Sequence, residues 1–431
     1  MLHSPEKPFL IWHGTLWHHT ADNASHTNCV LPCLFLHICY PPILPSSSWF
    51  HQHQQLVKLN LQAHQSAMAR ADEFVLEALL TFDKLEVLVH ELLAIEAWKQ
   101  FVLPPLLETE RVSSGKCTTR IYFTLYHEAT LSNLLEVVMY HKHVCEEAGE
   151  LLLELVDYCV RKITLLISGD LNQSPPTEDK SPASVVKGLE KMTKRSPKEE
   201  IEAYLAETDF RSCVTAVGLL RFQCEHIAVT PLSVMTRVLD THDVLLGLAA
   251  LIENPPWTRR SNEGKWEKYV DFKWTNVAPA DLLVITKTEG QVWLAMYHLM
   301  CQEECRKRYH FNSLRKGSIL RVRKFINNVL LDQLPVLASV QRQDGSGYMD
   351  ELSIMDVPEA SSMPVPGGLL MEQVPQIREG LLKGRDWAEM VHQAATGIFN
   401  QQDDAEDQDI RSLATLYAGD EVEDLLNPKS C

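Results

Sequence analysis

The chain has 431 residues, of which 45% are hydrophobic and 23% charged, and its formal net charge is −17 at pH 7. This composition is ordinary for a protein with a sizeable core, and it excludes a wholly disordered chain, a collagen-like fibre and a small disulfide-stapled scaffold. So acidic a chain also disfavours non-specific binding to nucleic acid and to anionic membrane surfaces.

The first 48 residues differ from the rest of the chain. They contain many His and Pro residues and no clear hydrophobic period. Their apolar stretch, 29–45, is interrupted by prolines and follows no basic segment, whereas a membrane-spanning helix needs about 20 continuous apolar residues and a signal peptide begins with basic residues. We therefore predict a divergent, disordered leader over 1–48 and a cytoplasmic protein without membrane insertion.

From Trp49 onward the hydrophobic pattern is helical. Leu131, Leu134, Leu135 and Val138 form one stripe, and a second stripe runs over 152–166. Glycine at 149 separates the two, which predicts an antiparallel helix pair. A third stripe covers 319–330 and ends at a proline, and weaker helical patterns cover 72–101, 199–224, 231–252, 280–303, 371–383, 385–399 and 409–418. The one short strand candidate is Arg120–Leu125.

These patterns predict an all-α protein. The density of helix pairs favours an armadillo- or HEAT-like solenoid of antiparallel pairs, although no fixed sequence repeat is present. Two segments rich in Pro, Gly and Ser, 169–198 and 341–368, are predicted to be disordered linkers. They separate an N-terminal helical segment (49–168), a central one (199–340) and a C-terminal one (369–426).

The sequence gives no strong metal or catalytic motif. His141, His143 and Cys145 are close in sequence, but on a helix positions i and i+2 point about 200° apart. Cys301 and Cys305 share a helical face without a neighbouring pair of ligands. The 11 scattered cysteines favour a reducing compartment. His127-Glu128 lacks the second His of a metalloprotease helix, and phosphate-binding loops are missing. We therefore predict a non-enzyme without metal or cofactor.

The most basic stretch runs from Arg306 to Lys324 and contains no acidic residue. Within it, Arg315 and Lys316 are candidate partner contacts, and an acidic protein surface (the chain's own acidic tail is one possibility) fits better than nucleic acid. The alternative is that these residues form the solvated face of the helix over 319–330.

A second candidate contact is a proline-bounded segment rich in tryptophan. Trp257, Arg259 and Arg260 are followed by Trp266 and Trp274, and Trp and Arg are the residue types that anchor protein interfaces. The alternative is that these rings fold back onto a pair of helices.

Several strings resemble one known family in order along the chain. They are Glu91–Gln100, His127–Ala129, Asn133–Glu136, His141-Lys142, Val144–Glu146, Leu155–Cys159, Arg161-Lys162, Pro256-Trp257, Arg259-Arg260, Gly290–Trp293 and Leu330–Pro335. On these strings the chain resembles the MYND-type zinc-finger protein 10 family, from about Trp49 to Leu426.

The resemblance implies a cytoplasmic scaffold or co-chaperone that preassembles the outer and inner dynein arms of motile cilia. Partners implied in the same way are a leucine-rich-repeat dynein assembly factor, an FK506-binding isomerase, the heat-shock chaperone machinery and axonemal dynein chains. The cytoplasm is the implied location, with centriolar satellites or the ciliary base as candidate places of concentration.

Two features depart from the family pattern. Residues 1–48 do not resemble the family's N-terminus, and after Tyr417 the sequence offers a single thiol, Cys431, where a zinc finger would need about eight ligands. We therefore expect the MYND finger and its zinc to be absent. An enzyme of unknown type in a helical fold and a chromatin-binding adaptor are the alternative functions.

Overall fold

The computed structural model describes residues 36–37, 47–113, 118–171, 196–261, 263–340, 347–359 and 373–396. The chain divides into two compact units, Met1–Val138 with Leu381–Cys431 (unit 1) and Met139–Gly380 (unit 2). Most of the predicted leader and of the first linker lies outside the described residues, as do the helix predicted over 409–418 and Cys431.

The described elements follow one another in this order. The first helices are α1 (Ser47–Ala69), α2 (Phe74–Thr81), α3 (Leu85–Phe101), α4 (Leu103–Leu107), α5 (Glu110–Ser113), α6 (Thr118–Met139), α7 (Lys142–Ala148), α8 (Leu151–Ser168), α9 (Pro197–Glu225), α10 (Leu232–Thr236) and α11 (Val244–Glu253). Three strands come next, β1 (Thr258–Arg260), β2 (Trp266–Val270) and β3 (Lys273–Val277). The last helices are α12 (Lys287–Cys301), α13 (Glu303–Arg308), α14 (Ser313–Val322), α15 (Asn328–Gln333), α16 (Tyr348–Ile354), α17 (Ile377–Leu382) and α18 (Trp387–Thr396).

Two helices, α3 and α6, form the centre of unit 1. In α3 every residue from Leu88 to Lys99 except His90 is buried, and in α6 the run Phe123–Ser132 is buried throughout. The predicted strand Arg120–Leu125 is wrong, because it lies inside α6. A helix enclosed on all sides shows no apolar stripe, so a short alternating pattern within it carries no information about strands.

The helix predicted over 72–101 is divided in two. Asp83 adopts a left-handed φ of 51°, and the N–H of Lys84 bonds to the carbonyl of Leu79 at 2.8 Å. This geometry is that of a helix C-cap, which Asp tolerates better than most side chains. The chain therefore turns between α2 and α3.

Unit 2 is organised around α9, which packs against α8 and against α12. The start of α9 follows from its sequence, because Ser196 and Glu199 form a reciprocal capping box and Pro197 stands in the first turn. The predominantly helical fold is thus confirmed. The finer armadillo- or HEAT-like assignment stays a prediction.

A three-stranded antiparallel sheet of order β1-β2-β3 lies between α11 and α12 in the chain, where no strand was predicted. The β2–β3 hairpin turns at Asp271 and Phe272, whose φ angles are 47° and 60°. Two positive φ angles define the tight turn that suits a hairpin, and its usual sequence is Asn-Gly or Asp-Gly. Because Phe272 stands where glycine is typical, this turn could not be predicted from its residues.

Two predictions for the region after α13 are wrong. The stripe over 319–330 is interrupted at Ile326, where the backbone is extended, and Asn327 caps the new helix α15. The predicted linker 341–368 contains helix α16, whose Tyr348, Met349 and Leu352 are buried. Flanking Gly and Pro residues dominated the composition of that segment and concealed its short apolar face.

Within the residues that the structure describes, no helix is long and apolar enough to cross a membrane. In the C-terminal region, α17 and α18 are shorter than the helices predicted over 371–383 and 385–399. The ring of Trp387 in α18 stacks on Phe101 at the end of α3, with centroids 4.6 Å apart, so α18 is held within unit 1.

Candidate protein-interaction site

Trp257 is a core residue. Its side chain is 1% exposed, and its backbone carbonyl accepts a hydrogen bond from the N–H of Tyr269 at 2.8 Å. A partner cannot reach this ring in the folded chain. The prediction of Trp257 as an interface anchor is therefore wrong, and the alternative of a ring folded back into the protein describes it.

Arg259 and Arg260 each stack on a tryptophan of the sheet. The guanidinium carbon of Arg259 lies 3.8 Å from the ring centroid of Trp274, and its Nε donates to Glu267 at 2.9 Å. Arg260 lies 4.5 Å from the centroid of Trp266 and remains exposed at the sheet edge. Among Trp257, Arg259 and Arg260, the side chain that remains exposed to solvent is that of Arg260.

Aromatic side chains on the face of the sheet that carries Arg259 cover α9. Tyr269 and Trp274 contact Phe210 with ring centroids 4.8 and 5.6 Å apart. The guanidinium of Arg211 lies 4.0 Å from the centroid of Phe272, in the strained turn. These contacts, worth about 0.5–1.5 kcal/mol each beyond area burial, explain why the hairpin holds its unfavourable turn residues.

Arg315 forms part of an internal polar cluster. Its Nε donates to the Asp243 carboxylate at 2.7 Å, and the hydroxyl of Tyr309 donates to the same carboxylate at 2.6 Å. Burial, followed by the hydrogen bond to Asp243, raises the pKa of Tyr309. Asp243 itself has a left-handed φ of 46°. Because Arg315 is already paired and 15% exposed, it is not an open contact for a partner.

The other basic side chains between Arg306 and Lys324 also find partners within unit 2. Lys316 Nζ donates to the carbonyl of Met355 at 2.6 Å. The ion pairs are Arg306–Glu351 at 2.9 Å, Lys307–Glu303 at 2.5 Å, Arg321–Glu253 at 2.8 Å and Arg323–Asp350 at 2.7 Å. The basic stretch therefore does face acidic groups, and two of those acids belong to α16.

Unit 1 contains a buried polar cluster that no motif in the sequence predicts. Nδ1 of His53 lies 2.8 Å from Nδ1 of His127, and Nε2 of His127 lies 3.7 Å from a carboxylate oxygen of Glu91. Nearby, the Lys99–Glu128 ion pair is 2.5 Å long, with side chains 7% and 0% exposed. The helices α1, α3 and α6 supply these residues, so the cluster joins them at the centre of the unit.

The tautomers of the two histidines follow from this geometry. One Nδ1 must carry a hydrogen and the other a lone pair. If His53 donates, Nε2 of His127 carries its hydrogen toward the Glu91 carboxylate, which is the electrostatically favoured arrangement. Burial lowers the pKa of His127 to about 3 and that of His53 well below its usual value, so both rings are neutral at pH 7.

A second polar cluster, in unit 2, surrounds Asp157. Arg237 donates to both carboxylate oxygens, at 2.8 and 2.7 Å, and Nε2 of His242 lies 2.6 Å from one of them. A π-helical turn, Arg237–Thr241, brings both partners to the same side. Burial alone would raise the pKa of Asp157, but the hydrogen bonds and charges of Arg237 and His242 lower it to about 2.

The histidine and cysteine groups considered for metal binding are separate in the structure. Cys145 is buried and its thiol donates to the carbonyl of Met139, whereas His143 is exposed. Burial raises the pKa of Cys145 and of Cys305 to about 12, so both thiols are protonated. In the described ranges, no group of three or more His, Cys, Asp or Glu side chains is arranged to hold a metal ion.

Comparison with known proteins supplies the family. A Drosophila melanogaster protein described as "Zinc finger MYND domain-containing protein 10 homolog" is 31% identical over 341 residues, which cover 78% of this chain and 69% of that protein. The chain belongs to the zinc finger MYND domain-containing protein 10 family. No model of a known protein family matches the chain. No solved structure matches it either.

Residues of both buried clusters belong to strings on which the chain resembles the MYND 10 family. The strings on which the resemblance was recognised include Glu91–Gln100 on α3 and Leu155–Cys159 on α8. They contain Glu91 and Lys99 of the unit 1 cluster and Asp157 of the unit 2 cluster. The strings on which this chain resembles the family therefore include polar residues that hold its helices together.

Proposed function

We propose that the chain is a non-enzymatic scaffold and co-chaperone for the cytoplasmic preassembly of outer and inner dynein arms of motile cilia. The observation that carries the proposal is the 31% identity over 341 residues to a MYND 10 homologue. The role in dynein assembly comes from the resemblance described for the sequence.

The geometry of the titratable residues supports a binding protein over an enzyme. His53, His127 and Glu91 are at most 2% exposed, so a substrate has no route to their polar atoms in the folded chain. Asp157 is held by Arg237 and His242 in an arrangement that joins helices. A general base must lie within hydrogen-bond reach of a bound substrate, and these groups do not.

The proposal includes partners and a location. The partners are a leucine-rich-repeat assembly factor, an FK506-binding isomerase, heat-shock chaperones and axonemal dynein chains. The location is the cytoplasm, with concentration near centriolar satellites or the ciliary base. In this proposal the helical body works without a cofactor, nucleic acid or membrane insertion, and zinc content measured after dialysis tests the metal part.

Rescue of ciliated cells tests the function. Cells depleted of the endogenous protein should lose outer and inner dynein arms, and this chain should restore them and co-purify with dynein chains. Lys99→Met, which leaves Glu128 buried without its ion pair, should fail to restore the arms. The exposed Lys142→Met substitution should restore them at equal abundance. Intact arms in depleted cells would contradict the proposal.

Assays on the purified chain distinguish the proposed scaffold from the two alternative functions. Turnover of a substrate by the purified chain, together with no dynein chain recovered on it, would favour an enzyme. Recovery on chromatin in place of dynein chains would favour a chromatin-binding adaptor.

A further inference from the structure

The acidic strap, residues 347–359, lies over basic side chains of α13 and α14. The strap contains α16 and the extended residues after it. We define the basic face as Arg306, Lys316 and Arg323, which all contact the strap. Every residue of both surfaces belongs to unit 2.

Charge pairs hold the helical part of the strap. Arg306 donates to Glu351 at 2.9 Å and lies 4.9 Å from the ring centroid of Tyr348, and Arg323 donates to Asp350 at 2.7 Å. The side chains of the Arg306–Glu351 pair are 46% and 55% exposed. Pairs so open to water are weakened by salt and exchange readily with other charges.

Apolar burial in the strap is confined to one end. Tyr348, Met349 and Leu352 are buried, with Met349 and Leu352 at 0% exposure. Beyond them, Ile354 is 86% and Met355 41% exposed. The part after Leu352 is held instead by backbone contacts, the Lys316 bond to the Met355 carbonyl and a bond from the Ser313 N–H to Pro358. The strap therefore covers the basic face incompletely.

The helix of the strap depends on this contact. It has seven residues, and isolated helices shorter than about 12–15 residues are marginal in water. The basic face and the protein surface that covers Met349 and Leu352 thus select a short helix with buried Tyr, Met and Leu side chains and two adjacent carboxylates. The strap shows which chemistry this surface recognises.

We propose that the basic face is a docking site for a short acidic amphipathic segment of a partner protein, and that the acidic strap is its intramolecular occupant. A partner segment with the same chemistry displaces the strap, because it can make the same charge pairs and bury its apolar side chains where Met349 and Leu352 are buried. The inference deepens the proposed scaffold function and rests on it only in supposing that the chain binds other proteins.

A labelled peptide of residues 347–359 provides the probe, and no dynein chain is needed. The full chain with Met349→Ser and Leu352→Ser has a loosened strap. We expect it to bind the peptide at least about 10-fold more tightly than the unaltered chain, whose tethered strap competes at roughly millimolar effective concentration. Binding should weaken as salt rises from about 0.05 to about 0.5 M.

Matched charge reversals locate the binding. Arg306→Glu in the loosened chain should remove most of the peptide affinity, whereas Lys273→Glu, an exposed reversal on β3, should leave it unchanged. The peptide with Asp350→Asn and Glu351→Gln should bind the loosened chain at least about 10-fold more weakly, because its carboxylates are gone.

The outcomes decide the proposal in either direction. A loosened chain that melts cooperatively and binds the peptide no better than the unaltered chain overturns it, as do equal effects of Arg306→Glu and Lys273→Glu. If Met349→Ser and Leu352→Ser prevent folding, a second variant, Asp350→Lys with Glu351→Lys, takes the place of the loosened chain. It changes only a half-exposed and an exposed position, and the same criteria apply to it. Normal dynein arm rescue with no peptide binding would reject the docking site and leave the scaffold function standing.

Discussion

In unit 1 the Lys99–Glu128 ion pair has side chains 7% and 0% exposed, whereas in unit 2 the Arg321–Glu253 pair is 56% and 20% exposed. The two pairs have similar distances, 2.5 and 2.8 Å, so contact geometry does not distinguish them. Burial does. Loss of Lys99 leaves the charge of Glu128 without water, while water replaces a lost partner in the Arg321–Glu253 pair.

The comparison extends to groups that titrate. His53 and His127 are neutral because burial opposes their charge, while Asp157 in unit 2 stays charged because Arg237 and His242 stabilise it. Unit 1 thus contains groups that acid must charge inside the core. In unit 2 the Asp157 contact resists acid until its carboxylate is protonated, whereas His298 is kept neutral by burial, which lowers its pKa to about 3. Contacts that are enclosed in the core should therefore respond differently to mutation, pH and salt from contacts that water reaches.

Removing one member of the buried pair should have the largest effect. Lys99→Met leaves the Glu128 carboxylate buried with its main countercharge gone, and should lower the free energy of unfolding by about 3–5 kcal/mol. The double substitution Lys99→Met with Glu128→Leu should recover much of that loss. Denaturant titration measures both, and a single-variant loss below about 1 kcal/mol would contradict the burial of this pair.

Truncating apolar side chains should affect the two units alike. Leu135 in unit 1 and Leu155 in unit 2 are both 0% exposed, so replacing either with Ala should cost about 2–5 kcal/mol. Lys142 is exposed, and Lys142→Ala should stay within about 0.5 kcal/mol. Thermal midpoints provide the measurement. Equal midpoints for all three variants would show that these leucines are not core residues.

Acid should affect the buried histidine pair of unit 1 before the Asp157 cluster of unit 2. The folded-state pKa of His127 is about 3, below the unfolded value of 6.5, so the unfolded chain binds more protons in this interval. The stabilisation is complete above pH 6.5 and is lost as pH falls toward about 3, by about 2 kcal/mol for His127 at pH 5. Asp157, with a pKa of about 2, loses its contribution only below its usual 3.8.

The control for the acid prediction is a histidine on the surface. His127→Gln should flatten the dependence of the free energy of unfolding on pH between 7.5 and 5, whereas His143→Gln at an exposed position should preserve it. Identical pH slopes in these two variants would disprove the role of the buried pair.

The exposed pair should show the smallest effect. Arg321→Ala should cost no more than about 1 kcal/mol at low salt, and the difference should vanish in about 1 M salt because ions screen exposed charges. A salt-independent loss of several kcal/mol would show that the Arg321–Glu253 pair stabilises the fold as strongly as a buried pair and would contradict the comparison with Lys99–Glu128.

Sequence periodicity predicted helices best where one face is exposed. The stripe over 152–166 matches α8, whose polar side faces water. In α6 it predicted the second half, where the stripe from Leu131 to Val138 lies, and failed in the first half, where a buried run starting at Phe123 has no polar face to produce a period. The histidine cluster was missed for a related reason, since His53 and His127 lie 74 positions apart and only the packing of α1 on α6 brings them together.

The candidate contacts were predicted by residue type but not by exposure. Trp257 and Arg315 are the kinds of residue that anchor interfaces, yet the first lies in the core and the second is paired with Asp243. The sheet that covers Trp257 depends on a hairpin with Phe272 in a left-handed conformation, and the pairing of Arg315 depends on Asp243, whose backbone is also left-handed. Neither feature has a usual sequence signature, so the internal partners of the basic stretch could not be anticipated.

The enclosure of α3 and α6 has a consequence for natural variation. On a half-exposed helix, tolerated substitutions recur every three to four positions, which is the spacing of the solvent face. Nearly every position of Leu88–Lys99 and Phe123–Ser132 contacts protein, so tolerated changes should be scarce there and show no such spacing. A saturation scan would record these two helices as continuous intolerant blocks, and inherited missense changes within them would act mainly by reducing the amount of folded protein in the cell.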